Sequence, residues 1–297
     1  MPLLECVPNV SEGRRPEVVD RLISAITAGG GVRLLDVSSD PDHNRTVLTL
    51  AGEPEPLHEA LLALYEEALA AIDLTRHEGV HPRVGTVDVV PFIPLGDTPM
   101  EVAVAAAHRL APAVAGRFGL PVYLYERAAR REERRLLAAI RRGGFEGLPA
   151  KIADPAWAPD HGPARVHPTA GVTVIGARFF LIAFNAVLDT ADVEVARAVA
   201  RKVRESGGGL PAVRAMGVYL ESRGRAQVSM NLVDFRRTSI LGALERVRRE
   251  AEGLGARVME SEVVGLVPEE AALGVVRDAL QLPGFPAGKL IEDRLRR

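Results

Sequence analysis

One cysteine, three lysines and one tryptophan are all that 297 residues contain of those types, and each scarcity excludes something. A single thiol, Cys6, rules out an internal disulfide and suits a reducing, cytoplasmic compartment. Its place in the apolar run LLECVP (3–8) reads as a buried strand residue rather than a nucleophile. Long apolar runs are missing too: no window approaches the ~20 residues that a membrane-spanning helix needs, and the start of the chain lacks a basic stretch followed by an apolar one. Neither sign of charge dominates, with 37 basic against 39 acidic residues and a formal net charge of -2. That balance gives no electrostatic footprint for nucleic acid or an anionic membrane. The basic residues are nearly all arginine, with lysine only at 151, 202 and 289, which fits a GC-rich or heat-adapted source and says nothing of activity. Small-molecule chemistry is what these exclusions leave.

What is present is a 47% hydrophobic share, over a length at which one core tends to become two. Apolar periodicity predicts a strand at 3–8, a helix at 16–28 opened by Pro16, strands at 32–38 and 45–51, a helix at 55–72 and a strand at 87–93. Within the second helix Leu57, Leu61, Leu64, Ala68 and Ile72 share a face, while Glu59, Glu66 and Glu67 fall away from it. From 179 the same β-α-β-β-α-β order recurs: strand 179–187, helix 192–205, strands 215–221 and 226–233, helix 239–253, strand 257–265. Glycine runs at 29–31 and 207–209 precede strands rather than open helices, the wrong context for a phosphate cradle. The expected fold is therefore α/β (α+β), two ferredoxin-like subdomains at 1–178 and 179–297. Between the repeated units lie a strand-helix appendage (99–126), an Arg-rich helix (127–142) and the turn-rich stretch ADPAWAPDHGPARVHPTAG (153–171). The mixed charge of 126–135 and of the terminal KLIEDRLRR reads as solvated helix face.

The segment RHEGVHPRVGTVDVVPFIP (76–94) contains the zinc-peptidase pattern His-Glu-x-x-His as His77, Glu78 and His81. That pattern needs a helix to bring both imidazoles to one metal. Gly79 inside it and Pro82 just after it work against a helix. The other use of the segment is a stiff loop delivering His81 to the mouth of a sheet, where an imidazole of ordinary pKa about 6.5 trades protons near neutrality. Arg83 would reach the same side of an extended segment and hold a carboxylate bidentately. Asp88, at the start of the next strand, is either an orienting carboxylate for the imidazole or a plain strand residue. The crowd Asp40, Asp42, His43, Asn44 and Arg45 in SSDPDHNRT is mostly explained as turn chemistry. Trp157, Asp160, His161, Gly162, Arg165, His167 and Pro168 make the 153–171 stretch either a ligand-lining segment or an ordinary linker. His58 and His108 fall off their helices' apolar stripes and read as solvated.

At ECVPNVSEG (5–13), HEGVHPRVGTVDVVPFIP (77–94), PVYLYERAAR (121–130), WAPDHGP (157–163) and GARFFLIAFN (176–185) the chain resembles the formiminotransferase-domain family, with the blocks in the family's order from end to end. The resemblance implies two ferredoxin-like α/β subdomains with a folate-binding cleft between them. It implies transfer of a formimino group from N-formimidoyl-L-glutamate to N5 of tetrahydrofolate, a step of histidine degradation, with tetrahydrofolate as co-substrate and no metal. The family's acid–base histidine, in its Gly-x-His-Pro-Arg block, falls on His81. Its folate-contacting stretch falls on Gly162, Pro163, Ala164, Arg165, Val166, His167, Pro168, Thr169, Ala170 and Gly171. Arg83 and Arg45 are the candidates for the substrate carboxylates. A homodimer is expected, and ring closure on the product is expected from a separate cyclodeaminase, since no such domain follows in this chain. One departure is Ser38, two residues after Asp36, where the animal members carry a carboxylate; either Asp40 replaces it or the role is dispensable, and no carboxylate is assigned to catalysis. A folate-dependent formyl transferase would use the same cleft and base, and a non-catalytic ligand-sensing module would use the same halves.

Overall fold

The computed structural model describes residues 1–282 together with 285, 286 and 290. It divides into two compact units, Met1–Arg178 and Phe179–Arg297. The first runs β1 (Leu3–Cys6), β2 (Asn9–Val10), α1 (Pro16–Thr27), β3 (Val32–Asp40), β4 (Arg45–Gly52), α2 (Pro54–Ala71), β5 (Val87–Leu95), α3 (Met100–Phe118), β6 (Val122–Glu126), α4 (Leu137–Arg141), α5 (Leu148–Ala153) and β7 (Thr173–Ala177). Proline cannot donate to a ladder, and Pro8 lies where the first strand divides into β1 and β2. Both pieces occupy the place between β4 and β5, antiparallel to each. Beyond β5 the sheet continues with β7 and β6, all three parallel.

Alternation along the strands assigns side chains to the two faces. Val122 and Leu124 of β6 join Leu22 and Ile26 of α1, Leu57, Leu61 and Leu64 of α2 and Leu110 of α3 in the main core. Tyr123 and Tyr125, with Val89 and Val174, meet Ile140 of α4 and Leu148 and Ile152 of α5 in a second cluster. Cys6 is fully buried in β1, as its apolar setting predicts.

The second unit runs β8 (Ile182–Leu188), α6 (Val193–Val203), β9 (Val213–Leu220), β10 (Arg225–Leu232), α7 (Ile240–Glu252), β11 (Val258–Val264) and α8 (Glu269–Ala279). Asp192 and Ser239 cap α6 and α7 by accepting from Glu194 N and Gly242 N. Its antiparallel sheet has the order β11-β8-β10-β9. Read from the other edge, that is the arrangement β3, β4, β1 with β2, β5 of the first unit, so both repeated β-α-β-β-α-β orders build the same sheet core.

Several expectations give way. The appendage is a helix followed by a strand, α3 then β6, and β7 at Thr173–Ala177 and α8 have no counterpart in the sequence reading. The 127–142 stretch is a turn, a short 3-10 segment at Glu132–Arg134 and the five-residue α4 rather than one solvated helix. Arg134 is 1% exposed: it pairs with Asp160 (3.4 Å), donates to the Ala156 carbonyl (2.7 Å) and lies over the Tyr123 and Trp157 rings. His58 is buried, and His108 bonds to the Ala128 carbonyl (3.0 Å), so neither is simply solvated. Except for Leu290, the terminal KLIEDRLRR lies outside the described residues. Among the described residues no helix is long and apolar enough to cross a membrane.

Candidate active site

Residues 77–86 form a loop with no helix in it beyond the 3-10 turn ending at Arg76, as Gly79 and Pro82 predict. Its backbone passes so close to the β3–β4 hairpin that a Cβ on Gly79 would lie 2.4 Å from the His43 carbonyl oxygen. Val80 N donates to the Asp42 carbonyl (3.1 Å), and the Asn44 amide donates to the Glu78 carbonyl (2.9 Å) while accepting from Gly13 N (2.9 Å). The zinc-motif residue His77 is turned onto this scaffold, its Nε2 bonded to the Asn44 carbonyl (2.8 Å). Farther along, the loop meets the segment before β7: Val172 N donates to the Val84 carbonyl (2.9 Å), and a Cβ on Gly85 would lie 1.9 Å from the Val172 carbonyl oxygen. Glycine is needed at both contacts for close approach.

This scaffold presents His81 to a small pocket lined by Val10, Ser11, His43, Asn44, Arg45, His77, Arg83 and Asp88. Its Nδ1–H donates to the Pro82 carbonyl (2.8 Å), which leaves Nε2 as acceptor, and Arg45 Nη1 donates to that nitrogen at 2.5 Å. Burial, then the charges of Arg45 and Arg141 and the neighbouring His43, hold the imidazole well below its usual range. His81 is therefore a neutral base at pH 7 with a defined tautomer. Burial and the Arg141 charge also pull Arg45 down to about 9, against the opposing carboxylates of Asp88 and Asp40, which leaves it a cation at neutral pH. Arg45 Nε is buried without a partner.

Arg83 lines the same pocket but is engaged, donating to the His77 carbonyl (3.1 Å) and to Glu146 (2.8 Å). Asp88 meets the loop backbone rather than the imidazole: its Oδ1 accepts from Val84 N (2.8 Å) and Gly85 N (3.2 Å), and its Oδ2 pairs with Arg141. Ser38 is a sheet residue opposite Val47. Asp40 closes the hairpin as register partner of Arg45, with Oδ1 accepting from His43 N (2.8 Å).

The 162–171 stretch divides. Gly162 has φ +87° and sits against the Leu120 carbonyl, two residues before β6. Thr169, Ala170 and Gly171 run beside the His81 loop, with Leu74 N on the Thr169 carbonyl (2.7 Å) and Thr86 N on the Ala170 carbonyl (3.0 Å). Val166 packs against the cluster that contains Val84, while Arg165 and His167 lie outside the pocket around His81. Sequence reasoning missed Arg141 and Ser11. Ser11 Oγ donates to the Gly85 carbonyl (2.7 Å). Only their place in quoted blocks or charge runs could have drawn notice to them.

Fold and pocket together define an α+β protein of two subdomains, the first carrying on a loop a neutral histidine among guanidinium groups. The chain belongs to the formiminotransferase family. Residues 3–178 match the formiminotransferase domain, N-terminal subdomain, and residues 183–279 match the formiminotransferase domain. It is 44% identical over 289 residues to a glutamate formimidoyltransferase of Streptococcus pyogenes, covering 97% of each chain. Identity to the glutamate formimidoyltransferase of Thermoplasma acidophilum is 44% over 299 residues, covering 100% of this chain and 98% of that one. A formimidoyltransferase-cyclodeaminase of Gallus gallus is 45% identical over 277 residues, which are 91% of this chain and 51% of that protein.

Proposed function

We propose that this protein is a glutamate formimidoyltransferase, moving the formimino group of N-formimidoyl-L-glutamate to N5 of tetrahydrofolate, with His81 as the acid–base residue. The family and its relatives' names support the reaction. The observation that carries the role of His81 is its tautomer: Nδ1–H fixed on Pro82, Nε2 facing the pocket, and cations around it that disfavour protonation.

The transfer joins N5 to the formimino carbon and then breaks the bond from that carbon to the glutamate nitrogen. N5 sheds a proton as the first bond forms, and the departing nitrogen gains one as the second breaks. A single neutral imidazole serves both movements, accepting at Nε2 and then donating from it. In the unliganded site Arg45 covers Nε2. A donor carboxylate offers Arg45 a better partner than a neutral imidazole, so binding the donor draws Nη1–H off His81 and uncovers the base. Arg83 takes the second carboxylate by exchanging Glu146, whose side chain is 67% exposed. The pterin lies against Gly162 to Gly171, whose last residues border the His81 loop. Tetrahydrofolate is the co-substrate and no metal takes part. The remaining parts of this reading are a cytoplasmic homodimer, ferredoxin-like subdomains, and a separate cyclodeaminase consuming the product.

Purified protein incubated with N-formimidoyl-L-glutamate and tetrahydrofolate should yield 5-formiminotetrahydrofolate and glutamate by mass spectrometry, with or without a chelator. Absence of product, or turnover only with a formyl donor, would overturn the assignment. Activity lost on chelation and restored by zinc would overturn its metal-free part.

A further inference from the structure

We propose that Asp88 and Arg141 form a positioning pair for His81, the carboxylate setting the backbone of the loop that presents the imidazole and fixing a guanidinium charge next to a side chain that lines the same pocket. The proposal rests on His81 being the acid–base residue, and it concerns two groups that do not touch the reacting atoms.

Asp88 is 3% exposed and spends both oxygens inside the protein. Oδ1 accepts from two consecutive backbone amides, Val84 and Gly85, three and four residues beyond His81. The same two residues are held through their carbonyls by Val172 N and Ser11 Oγ, so the far end of the loop is clamped from several sides. Loss of the carboxylate would free the short run from 81 to 85 that aims the ring.

Oδ2 takes Arg141, from the end of α4 and 53 residues away in sequence. A surface arginine at a helix end is ordinarily mobile, but this one is not placed like that. Its side chain is 15% exposed, and Ile140 beside it is buried with Val84. The α4 region is pinned by Lys151, whose Nζ donates to the carbonyls of Ala139 (2.7 Å), Ile140 (2.7 Å) and Arg142 (3.0 Å). A buried carboxylate thus meets a cation on a fixed support.

The consequence for His81 is opposite in sign to that of a carboxylate bonded directly to an imidazole. A direct partner would favour the imidazolium; here the carboxylate faces the loop backbone and Arg141, and its partner cation is what acts on the ring. The charged and titratable groups around His81 are Arg45 from β4, Arg141 from α4, His43 from the hairpin, and His77 and Arg83 from its own loop, with Asp88 lining the same pocket and Asp40 and Asp88 acting on Arg45. A fixed cation keeps the base free for its first proton and makes the protonated ring a stronger acid for returning it.

The test removes the charge and keeps a donor for Asp88. In Arg141→Gln, His81 should titrate about one pH unit higher by nitrogen NMR of labelled protein without substrates, its resonance identified with His81→Ala. The acid limb of kcat/KM should move up by the same amount, roughly ten-fold in activity at the most affected pH, with the KM for N-formimidoyl-L-glutamate within about three-fold of the parent. Arg141→Lys should restore the parent titration and profile, and Arg141→Met provides a second neutral variant. An unmoved titration in both neutral variants would overturn the proposal. So would an equal loss of kcat at every pH, which marks a merely structural residue, or a rise in KM alone, which marks a carboxylate receptor. Because the titration needs no substrate, a parent protein inactive in formimino transfer would refute the proposed function while leaving the pairing decidable.

Discussion

In the β3–β4 hairpin the left-handed position is Asn44, φ +46°, and in the β9–β10 hairpin it is Gly224, φ +59°, each followed by the arginine that begins the next strand. Left-handed backbone costs a residue with a Cβ roughly 1 kcal/mol, so glycine is the cheaper choice at both turns. The second hairpin takes it, and Arg225 does no more than approach its neighbour's carbonyl (3.5 Å). The first keeps asparagine, whose side chain holds Gly13 and Glu78 while its carbonyl holds His77. Arg45 then reaches His81. The same turn is a plain connection in one unit and the anchor of the His81 loop in the other, and the difference lies in what the residue at and after the left-handed position bonds to.

The sharpest way to break this contrast is Gly79→Ala. Its Cβ has no room against the His43 carbonyl, so the loop must lift from the hairpin. A displacement near 1 Å is enough to cost about a hundred-fold, and kcat/KM should fall by at least that much. Parent-like kinetics would mean that the hairpin does not position the loop. Arg45→Gln comes next: kcat/KM for the formimidoyl donor should drop roughly ten- to a hundred-fold, mostly through KM, as expected for a lost charge-assisted bond, while Arg225→Gln should be indistinguishable from the parent. The finest test exchanges the turn residues. Asn44→Gly keeps the backbone but removes two side-chain bonds, and should lose about 1 kcal/mol of stability in urea titration and a few-fold in kcat. Gly224→Asn should change stability by less than about 1 kcal/mol and leave kcat alone. Equal effects at the two turns would erase the distinction.

Much of the scaffold is legible in the amino-acid sequence because it rests on local periodicity. Leu57, Leu61 and Leu64 announce α2, and both β-α-β-β-α-β orders follow from patterns of that kind. Gly79 and Pro82 announce a loop where a motif search would place a zinc-binding helix. What stayed hidden is set by distant contacts. Arg134 has the same neighbours in sequence as a solvated arginine, yet Asp160, Tyr123 and Trp157 enclose it. Arg141 belongs to the site only through Asp88, 53 residues away, and no spacing rule joins them. β7 is missed because Thr173–Ala177 is short and follows the irregular bridge, and its strand character comes from pairing with β5 and β6 on both sides. Asn44 was visible as a turn former, but its bonds to Gly13 and Glu78 were not.

The most direct measurement is the turnover of His81→Ala with tetrahydrofolate binding followed in parallel. Removing a positioned acid–base group costs ~10² to 10⁴ in rate, about 3 to 5 kcal/mol of barrier. In His81→Ala kcat should fall in that range, with folate affinity within a few-fold of the parent and an unchanged unfolding temperature, because Asp88, Asn44 and Gly85 hold the loop without the imidazole. Turnover within a few-fold of the parent would contradict the proton-transfer role, and loss of folate binding with kcat preserved at saturation would make His81 a binding group instead.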